Sequence, residues 1–320
     1  MVSNEDIMLN VTATVIDYKS EILRLKKEKN ALILAHYYQE GEVQDLADFI
    51  GDSLELARKA KETDNAIILF CGVHFMAETA KIVNPNKKVL LPDLNAGCSL
   101  ADSAPAEAFK RFREENPDHV AITYINCSTE VKALSDIICT SSNAEKIVQQ
   151  IPLGKKILFS PDKNLGAYIS KKMNREMLLW NGSCIVHETF NLEKILQLQL
   201  ENPGAKIIAH PECEESLLSH AQFIGSTSQL LRYVNEDSSN IYIVVTEPGI
   251  LHKMEMMQPE KRFIPAPANN GCACNNCPYM KLNTLEKIYA CLRDETPEIL
   301  MEEDLRVRAL KPLEKMLEMS

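Results

Sequence analysis

The sequence lacks a basic excess, a long apolar run and a recognisable leader, and each absence closes off a class of function. Lys and Arg number 35 against 45 Asp and Glu, for a net charge of −10. A nucleic-acid partner needs a basic face, so none is expected. A small anionic substrate stays open, because backbone amides at helix N-termini bind anions without net positive charge. The opening MVSNEDIMLN has neither the basic flank nor the apolar core of a signal peptide. The longest apolar stretches, such as 65–77, are too short and too interrupted to span a bilayer. No membrane partner is expected, and a cytosolic setting is. Long Gly-, Pro- or Ser-rich linkers are also scarce, so the parts of the chain should pack tightly around a common centre.

What remains is an ordinary globular profile: 320 residues, 45% apolar and 25% charged, enough for two or three small lobes. The ten cysteines are not expected to form a disulfide framework in the cytosol. Each is read first as a small core residue.

The main signal is a repeat. Three short apolar runs, 32–38 (LILAHYY), 120–126 (VAITYIN) and 206–212 (KIIAHPE), end in polar or aromatic groups. His36 and Tyr124 are 88 residues apart, and Tyr124 and His210 are 86 apart. Two residues beyond each stand Tyr38, Asn126 and Glu212. Alternate residues of an extended chain share a face, so each run delivers two such groups to one side of its C-terminal end. Counting 17 residues on from each aligned position reaches Ser53, Ser141 and Thr227, the last beside Ser226. Each cluster precedes a helical pattern: 54–63, 144–150 and 229–234. One such site would read as simple helix capping. Three in one register suggest helix N-termini converging on a shared anion site.

Further strands are expected at 66–70, 88–92, 156–160, 176–179, 241–246 and 262–265, with helices between them, such as 75–82, 163–172 and 251–257. Short strands alternating with helices indicate parallel βαβ units. Each unit also ends in a cysteine: Cys98, Cys184 and Cys277, separated by 86 and 93 residues. Cys71, Cys127, Cys139, Cys213 and Cys291 have no such counterparts and keep the core reading. One thiolate from each of three lobes suits a metal centre on a pseudo-threefold axis. Structural zinc usually takes four ligands in local pairs, which two isolated cysteines do not offer. Three cysteines can hold three irons of a four-iron cluster and leave the fourth open to bind substrate oxygen as a Lewis acid. That favours dehydration or condensation chemistry. The stretch Cys272-Ala273-Cys274-Asn275-Asn276-Cys277 could alone be a local metal motif or a redox pair. With Cys277 in a cluster, Cys272 and Cys274 become bystanders or a thiol switch, bystanders being preferred.

At this point the chain resembles the quinolinate synthase family over nearly its full length. The matching segments include AHYYQ (35–39), GDS (51–53), PDLNAGCSLAD (92–102), TYINCS (123–128), CTSSNA (139–144), NGSCIVHETF (181–190), AHPEC (209–213), GSTSQL (225–230), TEPGILHKM (246–254) and CPYMKLNTL (277–285). Some family members carry C-x-x-C-x-x-C before the last ligand, a spacing this chain does not share. The resemblance implies an α/β triangle of three αβα sandwich lobes with one active site at their junction. There Cys98, Cys184 and Cys277 would hold a [4Fe-4S] cluster. It implies a transferase-type dehydrating condensation in NAD biosynthesis: iminoaspartate and dihydroxyacetone phosphate give quinolinate, phosphate and two waters. It further implies a functional link to the enzyme supplying iminoaspartate. Substrate and catalytic positions carry over onto His36, Tyr38, Ser53, Tyr124, Asn126, Ser141, His187, His210, Glu212, Ser226 and Thr227. His187 gains weight from lying three residues after Cys184. His74, His119, His220 and His252 are read as structural.

The expected layout is an N-terminal helical segment at 1–30, lobes at 31–103, 104–189 and 190–280, and C-terminal helices at 281–320 packing back on the first lobe. Ring formation needs a general base. Among the i+2 groups only Glu212 is a carboxylate, so it is the candidate, with His210, His36 or Tyr38 orienting or donating to substrate oxygens. Its plain alternative is to cap a helix starting near Glu214. Burial is expected to raise its pKa toward neutrality. Two rival functions are another iron–sulfur hydro-lyase and a zinc or thiol-redox module built on 272–277.

Overall fold

The computed structural model describes residues 16–269 and 275–320, so Cys272 and Cys274 lie outside the described residues. Three four-stranded parallel sheets make up the α/β framework. In the first lobe β1 (Ala31–His36), β2 (Phe49–Gly51), β3 (Ile67–Cys71) and β4 (Lys88–Leu90) run in the order β2-β1-β3-β4. The second lobe repeats this with β5 (His119–Tyr124), β6 (Ile137–Cys139), β7 (Lys156–Ser160) and β8 (Leu178–Leu179). The third uses β9 (Lys206–Ala209), β10 (Phe223–Ile224), β11 (Ile241–Val245) and β12 (Arg262–Pro265). The inner strands β1 and β3 are buried throughout, as parallel strands covered by helices on both faces must be.

Register makes the three lobes equivalent. Ala35 pairs with Cys71, Thr123 with Ser160, and Ala209 with Val245. In each sheet the chain reverses its direction of travel between the first and third strands. Ligands of open α/β sheets bind at such a switch point, outside the carboxyl ends of the strands. His36 and Tyr124 end β1 and β5, and His210 directly follows β9. The outer strands β2, β6 and β10, two or three residues long, went unseen in the sequence, and the strand expected at 176–179 is only Leu178–Leu179.

The first and second lobes share one continuous apolar core that includes Phe70, Phe75, Phe109 and Phe159. The third lobe fills its two faces separately, around Ile207 and around Tyr242. The C-terminal helices divide between the lobes. Leu285–Asp294 packs against Tyr18–Glu28 beside the first sheet. Glu303–Met319 packs mainly on β6 and the helix Thr129–Ala133 of the second lobe, and reaches His74–Val83 of the first. Its buried stripe of Ala309, Leu313 and Met316 joins the shared core, so return to the first lobe describes only part of this packing. Between these helices the chain pairs antiparallel with β4 through Leu90 and Glu298. Among the described residues no helix is long and apolar enough to cross a membrane.

Candidate active site

The strand ends open onto one cavity at the junction of the lobes, with about 70 Å³ of room for the centre of a water molecule. Its walls include His36, Tyr38 and Ser53 from the first lobe, Tyr124, Asn126, Ser141 and His187 from the second, and His210, Glu212 and Thr227 from the third. Cys98, Cys184 and Cys277 line it as well. Ser226 does not. It is the N-cap of the helix Thr227–Glu236, and its hydroxyl is taken up by the Gln229 amide and the Ser142 hydroxyl.

Capping in fact falls one or two residues away from where the sequence placed it. Asp52 caps Ser53–Glu62 in a capping box with Glu55, Asn143 precedes Ala144–Gln150, and Ser226 caps Thr227–Glu236. Ser53 and Thr227 are thus first-turn residues with hydroxyls not needed for capping. Asp52 does more than cap. Its Oδ1 accepts the amides of Leu54 and Glu55 at 3.0 Å each. Its Oδ2 accepts the Ser142 hydroxyl and, at 2.7 Å, the Ser228 hydroxyl. One buried carboxylate of the first lobe therefore binds the helix starts of the other two. Sequence reasoning missed it, although Asp52, Ser142 and Ser228 stand one residue to either side of the aligned serines and threonine.

The imidazoles are held by the backbone. The amide of Tyr38 donates to His36 Nδ1 at 3.1 Å, and that of Glu212 donates to His210 Nδ1 at 3.4 Å. Because an amide can only donate, each neutral ring keeps its proton on Nε2. For His210 that nitrogen lies 3.2 Å from Ser141 Oγ. Burial drives the His36 pKa down to about 4 and the His210 pKa to about 3, so both rings are neutral at physiological pH.

Glu212 Oε1 accepts the Tyr124 hydroxyl at 2.6 Å, and Oε2 lies 3.0 Å from His187 Nδ1. The latter contact is close enough for an ion pair but not aligned as a hydrogen bond. Burial pushes the carboxyl up, as the sequence suggested. The close approach of His187, with the Tyr124 bond, outweighs it and holds Glu212 below the ordinary carboxylate range. That corrects the expected rise toward neutrality. Nor does Glu212 cap a helix: Glu214 precedes Glu215–Leu218 without a side-chain bond, and Glu212 faces the cavity. Thr246 extends the network, 3.0 Å from His187 Nε2 and 2.6 Å from the Tyr38 hydroxyl. Its role had no separate signal in the sequence. Asn126 Oδ1 is buried on the cavity wall without a partner, an acceptor that awaits a ligand. His252 pairs with Asp45 at 2.8 Å and stays off the cavity wall.

The three cavity thiols are free. Burial raises all three, Cys98 to about 12, and neighbouring thiols add to it: Cys277 raises Cys98, and Cys98 raises Cys184. Three soft ligands on one buried wall form a donor set that a thiophilic metal centre would satisfy. The ligand atoms of Cys184, His187 and Glu212 also lie within 4.8 Å of one another, close enough for a single ion. Cys71, Cys127, Cys139, Cys213 and Cys291 are buried away from this wall.

Fold and site together define a three-lobed α/β protein whose one central pocket joins three free thiols to a buried His–Glu–Tyr network. The family model described as Quinolinate synthetase A protein matches residues 20–318. The quinolinate synthase of Microcystis aeruginosa is 62% identical over 304 residues, 95% of each chain. That of Nostoc punctiforme is 61% identical over 305 residues, 95% of this chain and 94% of its own. That of Chloroherpeton thalassium is 60% identical over 306 residues, 95% of each. The chain belongs to the quinolinate synthase family.

Proposed function

We propose that the protein carries out the quinolinate synthase reaction of NAD biosynthesis, condensing iminoaspartate with dihydroxyacetone phosphate to quinolinate, phosphate and two waters. Membership of the family supports the activity. The observation that carries the finer reading is the convergence of Cys98, Cys184 and Cys277 with the His–Glu–Tyr network on one cavity. These thiols would hold a [4Fe-4S] cluster whose open iron supplies Lewis-acid chemistry to a substrate hydroxyl.

The chain's own groups do the rest. Ser53, Ser141 and Thr227 offer hydroxyls to substrate carboxylates and phosphate. Neutral His36 donates from Nε2 to a substrate oxygen. Asn126 Oδ1 accepts from a substrate N–H or O–H. Glu212, ionised at neutral pH, takes a proton from substrate carbon, and the Tyr124 hydroxyl and His187 fix its two oxygens. Burial of the site keeps bulk water from reactive imine and enamine groups.

Quinolinate formation from the two substrates under anaerobic conditions, with iron and sulfide analysis of the same sample, tests this reading. Absence of product from an iron-loaded protein refutes it. The close grouping of Cys184, His187 and Glu212 favours a second reading, a single divalent ion at those three groups. One equivalent of zinc with neither iron nor sulfide would establish that instead.

A further inference from the structure

The strand register identifies a position in each lobe that the repeat in the sequence did not show. Cys71, Ser160 and Val245 are equivalent, as partners of Ala35, Thr123 and Ala209. Two residues beyond them stand Val73, Asp162 and Glu247. Asp162 does the usual work of such a residue, capping its own helix through the Leu165 amide at 2.7 Å. Glu247 is one methylene longer and reaches across to another segment. Its Oε2 accepts the Gly249 amide at 2.6 Å, but its Oε1 accepts the amide of Cys277 at 3.2 Å. The same oxygen lies 3.0 Å from Lys281 Nζ, with the carboxylate side chain only 1% exposed.

Lys281 follows Cys277 by four residues, and its ammonium also donates to the Tyr38 carbonyl at 2.9 Å. The junction is tight enough to require glycine at 249, where a Cβ would fall 2.7 Å from the Tyr38 carbonyl carbon and 2.8 Å from Glu247 Oε2. One carboxylate and one ammonium thus tie the end of β11, the turn after β1 and the segment bearing the third thiol.

We propose that Glu247 is the positioning residue for Cys277. It fixes the backbone of that residue through the Cys277 amide and holds Lys281 so that the segment stays docked on Tyr38. Cys98 and Cys184 lie at the starts of short helices within their lobes and have their own amide-rich settings. Cys277 likewise receives the amides of Tyr279 and Met280 at the start of a helical turn, but its own amide is held by a buried carboxylate from another part of the chain, Glu247. The importance of that placement rests on the reading of Cys277 as a cluster ligand, but the placement itself is measurable without a cluster.

The test is thiol labelling by iodoacetamide in metal-free, anaerobic protein, read cysteine by cysteine by mass spectrometry. Glu247→Ala should raise the labelling rate of Cys277 about tenfold or more, the change expected when a hydrogen bond to a charged acceptor is lost. Cys98 and Cys184 should keep their wild-type rates. Lys281→Met should reproduce the pattern, and Lys281→Arg should restore it. Glu247→Gln, which retains an amide acceptor, should fall between. If Glu247→Ala does not fold, Lys281→Met and Glu247→Gln carry the same comparison. An unchanged Cys277 rate, or an equal rise at all three thiols, overturns the assignment. Iron and sulfide content of the wild-type chain tests the ligand reading separately.

Discussion

Replacing Asp52 measures how much of the lobe arrangement hangs on one carboxylate. Asp52→Ala removes an N-cap, worth about 0.5–2 kcal/mol. It also removes two charge-assisted bonds from Ser142 and Ser228, at about 1.5–3 kcal/mol each. Simple addition gives roughly 3.5–8 kcal/mol. The stranded hydroxyls can still pair, since Ser226 Oγ lies 3.0 Å from Ser142 Oγ and 3.2 Å from Ser228 Oγ. Re-pairing lowers the expected loss to about 3–5 kcal/mol. Asp52→Asn keeps a good cap and a hydroxyl partner, so it should cost about 1–2 kcal/mol. Equilibrium urea unfolding of metal-free protein, followed by far-ultraviolet circular dichroism, supplies these values. The decisive quantity is the double-mutant coupling of Asp52→Asn with Ser142→Ala and with Ser228→Ala, expected at about 1 kcal/mol or more for each pair. A loss below about 1 kcal/mol in Asp52→Ala, with no coupling to either serine, would reduce Asp52 to an ordinary helix cap.

Glu212→Gln keeps shape and removes basicity; it should still bind quinolinate yet lose about 100-fold or more in turnover, measured anaerobically at saturating substrate. Near-normal turnover would move the role to His210 or His36. Cys184→Ala should abolish iron binding, whereas Cys213→Ala, at a fully buried position, should retain iron and lose about 1–2 kcal/mol of stability through packing. Glu295 bonds to Lys29 and then to Lys88, which hold its pKa at about 2 against the ordinary 4.5. A depressed carboxyl stabilises the fold above its unfolded value and loses that contribution as pH falls through the folded one. The stability gap between wild type and Glu295→Gln should therefore be full above about pH 5 and vanish near pH 2, and a gap independent of pH would refute it.

The sequence showed the lobes because strand and helix lengths repeat closely enough for whole segments to superimpose. The strands that turn out to be central, β1, β5 and β9, were legible from uninterrupted apolar runs closed by polar groups. The outer strands Phe49–Gly51, Ile137–Cys139 and Phe223–Ile224 are too short to show any period. At the site, aligned positions drew attention to Ser53, Ser141 and Thr227. They hid the neighbours Asp52, Ser142 and Ser228, whose bonds run between lobes rather than along the chain. Glu247 was hidden for the same reason. Its equivalence to Asp162 depends on which residue of β7 pairs with β5 and which of β11 pairs with β9, which only the register reveals. The lowered pKa of Glu212 was also out of reach, because burial was legible while the approach of His187 from another lobe was not.

The division of the cavity walls among three sheets has a consequence for how the protein comes into being. Cys98 ends the first unit and Cys184 the second, but Cys277 enters only when most of the chain has been made. A growing chain therefore presents separate, unremarkable thiols until its last third has folded, and no proteolytic or truncated fragment of one lobe can imitate the finished pocket. The core shared by the first two lobes is itself completed only by Ala309, Leu313 and Met316 of the last helix. The Asp52 bond to Ser228, the seat of Glu212 beside Tyr124 and the hold of Glu247 on the Cys277 amide all require the third lobe in place. The pocket is therefore a property of the three lobes together, and no single lobe carries it.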